Sequence, residues 1–242
     1  MIPFTPMVKI LVITCAVVWL FGQLILDRFL FGGQFFTTYL ALVPNLVLQK
    51  FFIWQLVTYA FLHSASPFHI ILNLLALWWL GSELEQRWGG KFFLTYYLVC
   101  SIGAAFLYVT IVLIYALAGG SVTVLLTPVM GASGAIFGLL LAYGILFGER
   151  VVYFMMMFPM KAKYFVMILG GIEVVNLINT GVAGSEVASL AHLGGIVSGY
   201  LFLLFNKKLQ QKKWREKSGT KNSKLKLVIN NEKKKDGPKY WN

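Results

Sequence analysis

Charge is what this sequence has least of. Only 12% of its 242 residues are Asp, Glu, Lys or Arg, 58% are hydrophobic, and the mean hydropathy is +0.74. A soluble domain carries about 25% charged residues. A chain this poor in charge cannot cover a water-facing surface, which excludes an ordinary soluble globular protein and excludes disorder for most of its length. Cysteine is nearly absent too. Cys15 and Cys100 each sit inside an apolar run, so neither a disulfide framework nor a cysteine-based zinc site is indicated. The apolar runs are long and unbroken rather than alternating, which excludes a membrane β-barrel. No fixed-period repeat and no inverted repeat is visible, and this argues against a solenoid and against a transporter.

What the sequence does have is helical spans. About 20 apolar residues rise far enough to cross a bilayer core of about 30 Å. Six stretches qualify, at about 10–31, 67–86, 92–118, 129–148, 161–179 and 187–205. The expected fold is therefore an all-α integral membrane protein, a bundle of six transmembrane helices. The first run is long and lacks a small-x-small cleavage pattern, so a signal peptide is not expected. Residues 32–66 are too apolar for a solvated loop, with Phe35, Phe36, Tyr39, Phe51, Phe52 and Trp54 among them. They read as a half-buried interfacial segment with short amphipathic helices. Residues 151–160 read as a dipping loop, because Pro159, Lys161 and Lys163 separate them from the next span.

The formal charge of +12 belongs mostly to one end. Residues 206–242 hold 13 of the 21 Lys and Arg and three of the nine acids, leaving only +2 for residues 1–205. The expected division is a membrane domain over 1–205 and a basic, disordered cytoplasmic tail over 206–242. With the N-terminus inside, the inner segments hold 19 basic residues and the outer ones only Arg28 and Lys50. The positive-inside rule then puts both termini in the cytoplasm. The tail reads as a topology anchor, and no nucleic-acid partner is expected.

Polar residues inside spans are costly and flag function. The conspicuous ones are few: His69 and Asn73 in the second span, Ser133 in the fourth, Glu173 and Asn176 in the fifth, His192 in the sixth. On the topology above, the second, fourth and sixth spans all start outside. His69, Asn73, Ser133 and His192 then share a depth just below the outer surface. A lone Ser in an apolar helix usually bonds back to its own backbone. Gly131 and Gly134 weaken that reading, because they bare the backbone around one hydroxyl, as close approach to a nucleophile requires. A lone His in a bundle is usually a hydrogen-bonded core residue. Here, though, Gly134-xxx-Gly138 and Gly195-xxx-Gly199 form small-residue faces that bring the fourth and sixth helices together. Ser133 and His192 then come within reach of one another, as nucleophilic catalysis needs. His69 and Asn73, at i and i+4, share a helical face and suit an oxyanion hole. A triad would need a carboxylate near His192. Glu173 and Glu186 are the only acids in the last two spans or their loop, and neither is well placed by sequence. The residues read as a Ser–His dyad, with the imidazole oriented by packing against Phe137, one turn below Ser133.

With these motifs in order, the chain resembles the rhomboid family of intramembrane serine proteases, of the bacterial six-span type. The resemblance covers about residues 1–205. It rests on Phe61-Leu62-His63, His69-xxx-Asn73, Glu83-Leu84-Glu85-Gln86-Arg87 followed by Gly89, Gly131-x-Ser133-Gly134, and Ala191-His192-xx-Gly195-xxx-Gly199. It implies Ser133 as nucleophile, His192 as general base, and His69, Asn73 and the Ser133 amide as oxyanion donors. Glu85 and Arg87 match a structural region at the cytoplasmic end of the second span. The chain departs from the family pattern at Trp54-Gln55, where Trp-Arg is usual, so an Arg-anchored network is not expected there. Phe137 stands where some members have Tyr, which keeps ring packing on His192 without the hydroxyl.

The activity implied is hydrolysis of transmembrane substrate proteins near the outer face of a plasma membrane. Substrate helices would enter between the second and fifth spans, and no metal or organic cofactor is implied. Two rivals stand beside it. One is a catalytically silent rhomboid-like protein that binds membrane helices for quality control, which the intact Ser133 and His192 argue against. The other is a small transporter, which the lack of acid–base pairs at mid-membrane argues against.

Overall fold

A computed structural model describes residues 3–154, 157–182 and 188–220. The chain divides into two units, 1–204 and 205–242. Among the described residues, five helices are long and apolar enough to cross a membrane by length and composition. They are α1 (Pro6–Leu30), α5 (Pro67–Trp88), α6 (Gly90–Leu117), α8 (Ala162–Thr180) and α9 (Ala188–Thr220). Three short helices, α2 (Phe35–Tyr39), α3 (Pro44–Lys50) and α4 (Gln55–Thr58), lie between α1 and α5. The fourth expected span is the shorter α7 (Ser133–Leu146).

Each start has a local cause. α1 and α5 each carry a proline in their first turn, where its missing N–H costs nothing. α1 is also capped from a distance. Glu85, near the end of α5, accepts from the backbone N–H of Met7 (3.0 Å) and Val8 (3.0 Å) and from Thr5 Oγ1 (2.5 Å). One carboxylate thus satisfies two orphan donors at the positive end of a helix. Residues 129–132 precede the helix instead of forming its first turn. Leu42 and Val129 pair their backbones there (both bonds 2.9 Å), and this pairing shortens the fourth helix to 14 residues.

α7 is the centre of the bundle. Its Ala135, Ile136, Leu139, Leu140 and Tyr143 are buried against Leu77, Leu80 and Leu84 of α5 and Phe93, Tyr96 and Tyr97 of α6. α8 is the opposite case. Only Ala162 in it is buried, while Met167, Ile168, Ile172, Val175 and Ile178 are exposed. Such an apolar outer surface suits hydrocarbon and not water.

Two local expectations change. The segment 151–160, expected as a dipping loop, instead carries paired strands, with β1 (Val151–Phe154) antiparallel to β2 (Phe158–Lys161). Its sequence is rich in β-branched and aromatic residues, and Pro159 is tolerated because a two-stranded ribbon has free edges. The base of this strand pair is held by Glu149, whose carboxylate meets Lys161 (2.7 Å) and Lys163 (2.5 Å). Those hydrogen bonds, to Lys161 first, lower the Glu149 carboxyl to about 2. Second, α9 runs on to Thr220, so residues 206–220 are helical where disorder was expected. They contain no proline and several good helix formers. The rest of the expected tail lies outside the described residues.

The α1–α5 connection, where no Arg-anchored network was expected, has a polar network built on Gln55. Gln55 is fully buried. Its Nε2 donates to Thr38 O (2.9 Å) and its Oε1 accepts from Val43 N (3.0 Å). An amide, carrying both a donor and an acceptor, completes that network with no charge to desolvate. Around it Phe31, Phe35, Tyr39, Phe52 and Trp54 form a chain of ring contacts at centroid spacings of 4.6–6.0 Å.

Candidate active site

Ser133 opens α7. As the first helical residue, its N–H has no partner within the helix and remains free to donate. The chain enters through Gly131, whose φ of +130° is a conformation that side-chain-bearing residues avoid. A Cβ at Gly131 would lie 3.1 Å from His69 Nε2. The Gly131 N–H donates to Tyr59 O (3.0 Å), and Tyr59 Oη in turn donates to Ser101 O (2.8 Å). The approach to Ser133 is therefore pinned to both α6 and the α1–α5 connection.

His192 lies in the first turns of α9, and its Nε2 is 2.7 Å from Ser133 Oγ. Small residues make that distance possible. A Cβ added to Gly195 would stand 1.8 Å from Gly134 O, so only glycine lets the two backbones meet there. Gly199 behaves differently from expectation. It does not continue the contact with α7 but faces α6, where a Cβ would meet Tyr96 Oη at 2.5 Å and Cys100 Sγ at 3.1 Å. Both cysteines are free and buried. Phe137 stacks on the His192 ring at 4.3 Å between centroids and 14° between planes.

His69 and Asn73 face the same space from α5. His69 Nδ1 accepts from Ser64 N (3.2 Å) and contacts Ser64 Oγ (2.9 Å). Accepting at Nδ1 leaves the ring proton on Nε2, the nitrogen beside Gly131. Asn73 Nδ2 donates to His69 O (2.8 Å), which uses one of its two N–H groups and leaves the second. All four residues line one cavity of about 480 Å³. Its remaining wall is apolar and comes from Trp79 and Leu80 of α5, Ile136 and Leu140 of α7, and Phe165 and Leu169 of α8. A few converging polar groups at one end of an apolar pocket are the usual form of a binding or catalytic site.

One neighbour was dismissed by sequence and is present in space. Glu173 Oε1, from α8, lies 3.1 Å from His192 Nδ1, and both side chains are largely buried. The expectation that no carboxylate reaches His192 is therefore corrected. Glu186 lies outside the described residues. Asn176, also singled out in this span, accepts through its backbone O from Thr180 Oγ1 (2.8 Å). Nearby His63 is fully buried, and among the described residues its ring nitrogens have no hydrogen-bond partner. Burial first, and then the neighbouring His69, lower its imidazole to about 4.

A rhomboid domain model matches residues 50–208, well over half of the sequence. The chain belongs to the rhomboid family. It is accordingly an integral membrane protein, and its fold is the helical bundle of that family. Relatives include the RHOMBOID-like protein 1 of Arabidopsis thaliana, 33% identical over 66% of this chain and 36% of that protein. The rhomboid protease GluP of Bacillus subtilis is 31% identical over 61% of this chain and 25% of its own length. The rhomboid protease GlpG of Serratia proteamaculans is 28% identical over 64% and 48%. The matched stretch thus spans less than half of each of these relatives.

Proposed function

We propose that this rhomboid is an intramembrane serine endopeptidase, with Ser133 as nucleophile and His192 as general base. The observation that carries the reading is the 2.7 Å contact between Ser133 Oγ and His192 Nε2 across two different helices, at the wall of a cavity. A hydroxyl activated by an imidazole within hydrogen-bond reach is the arrangement that nucleophilic catalysis requires.

In this mechanism His192 Nε2 takes the Ser133 proton as Oγ attacks the scissile carbonyl carbon. The oxyanion accepts hydrogen bonds from the Ser133 N–H, His69 Nε2–H and the free Asn73 N–H. Collapse breaks the C–N bond, and the leaving amine takes the proton from His192. Water, deprotonated by the same imidazole, then hydrolyses the acyl-enzyme. The substrates are transmembrane proteins. The apolar wall between α5 and α8 suits a lipid-borne segment, and the weakly buried α8 suits lateral entry. A substrate helix must unwind at the scissile bond, since a helical carbonyl is already engaged.

The six-span reading treats α7 as the fourth span. At 14 residues it rises only about 21 Å, less than the bilayer core of about 30 Å, which favours a nucleophile set below the outer surface. We assign residues 1–205 to the protease domain and 206–242 to a basic cytoplasmic extension. The basic-residue bias puts both termini inside a plasma membrane, with the site opening outward. Reporter fusions at positions 50 and 210 should then fall on opposite faces.

The direct test is fluorophosphonate labelling of the purified protein, with the adduct located by mass. Labelling at Ser133 that is lost in His192→Ala fits the protease. A protein that captures membrane helices but never labels fits the silent binder instead.

A further inference from the structure

We infer that Glu173 is a positioning residue for His192, making the dyad a Ser133–His192–Glu173 triad whose carboxylate comes from the loosely packed α8. The inference rests on the protease reading above and goes beyond it. When His192 Nε2 accepts the Ser133 proton, the ring's other proton must sit on Nδ1. That nitrogen is buried, and among the described residues it makes no aligned hydrogen bond in the resting geometry. A buried N–H left unmatched is costly. The group within reach is Glu173 Oε1 at 3.1 Å, on a side chain only 13% exposed.

The rest of the surroundings leave this role to Glu173. Phe137 covers one face of the imidazole and supplies no acceptor. Ser133 occupies Nε2 from α7. His69 of α5 is the other titratable ring lining the cavity, and Ser189 of α9 sits close to the Glu173 carboxylate. A carboxylate at Nδ1 does two things. It fixes the tautomer that leaves Nε2 free to accept, and it stabilises the imidazolium formed as Ser133 attacks. An acid in an apolar span needs such a partner to be tolerated. Because Glu173 rides on α8, the helix that also walls the cavity with Phe165 and Leu169, displacing α8 to admit substrate would move the acid relative to the base.

The test compares the parent with Glu173→Gln, Glu173→Asp and Ser133→Ala in lipid nanodiscs. Two readouts are taken. One is cleavage of a model transmembrane substrate across pH, and the other is the titration midpoint of His192 followed by NMR of labelled histidine. Glu173→Gln keeps the shape and removes the charge. It should lower kcat by about tenfold to a hundredfold with little change in KM. It should also move the acid limb of the profile, and the midpoint measured for His192, to lower pH, because the imidazolium loses its stabilising charge. Glu173→Asp should recover most of both. An unchanged His192 midpoint and an unchanged pH profile in Glu173→Gln overturn the inference, even with Ser133-dependent cleavage intact. A shifted midpoint in a protein whose cleavage does not depend on Ser133 leaves the contact standing and overturns the protease reading instead.

Discussion

Replacing Gly195 by alanine should disable the site without touching any catalytic group. The added Cβ would stand 1.8 Å from Gly134 O, an atom of the backbone that cannot rotate away. Ordinary contact begins near 3.4 Å, so α7 and α9 must part by about 1.6 Å locally. Ser133 adjoins Gly134, His192 lies one turn before Gly195, and the two start 2.7 Å apart. Separation on that scale takes them beyond hydrogen-bond reach, and misplacement by about 1 Å can cost about a hundredfold in rate. The overpacking should also cost about 1–3 kcal/mol of stability. The assay is the rate of fluorophosphonate labelling in detergent, beside a thermal melt of the same sample. Gly171→Ala is the control, because a Cβ there meets no atom within 4 Å, and it should label like the parent. A Gly195→Ala protein that labels at the parent rate would refute the claim that this glycine contact sets the Ser–His distance.

Three further outcomes follow from contacts described above. Glu85→Ala strands Thr5 Oγ1 and the N–H groups of Met7 and Val8, and should destabilise the bundle by about 2–4 kcal/mol in a denaturation assay. Burial lowers the His63 imidazole to about 4 when folded, but the unfolded chain takes that proton near the ordinary 6.5. Stability should therefore fall as pH drops from 6.5 toward 4, by up to about 3 kcal/mol from this residue, and melts of His63→Phe should be flatter over that window. If His69 and Asn73 act on one oxyanion, each alanine variant should lower turnover more than substrate binding, and the double variant should lose less than the sum of the two. Simple additivity would place them in separate roles.

The parts legible in the sequence were those that depend on local pattern. Apolar runs located α1, α5, α6, α8 and α9, because a span is set by length and hydropathy alone. Glycine at 131, 134 and 195 marked where backbones come close, and Ser133, His192, His69 and Asn73 do line one cavity. What was not legible depends on helical phase and on partners distant in sequence. The strand-like pairing of Leu42 with Val129, which shortens the fourth helix, has no signature in either segment. The sequence does not say that Gly199 turns to α6 rather than α7. Gln55 breaks the usual Trp-Arg pattern, yet its amide completes the network, which only the positions of Thr38 O and Val43 N could reveal. Glu173 carried a usable signal. It lies seven residues before the end of α8, and His192 lies four residues after the start of α9. Counting depth along two successive antiparallel helices would have brought them to similar levels.

The central claim is that Ser133 performs peptide-bond hydrolysis in the membrane. Ser133→Ala tests it most directly, since it removes one hydroxyl and barely alters helix propensity or volume. The measurement is release of fragments from a model transmembrane substrate in proteoliposomes, with co-purification of intact substrate measured alongside. The account predicts that the parent releases fragments and that Ser133→Ala folds, releases none, and retains uncleaved substrate at least as well as the parent. A Ser133→Ala protein that still cleaves, in a preparation free of other proteases, would contradict it.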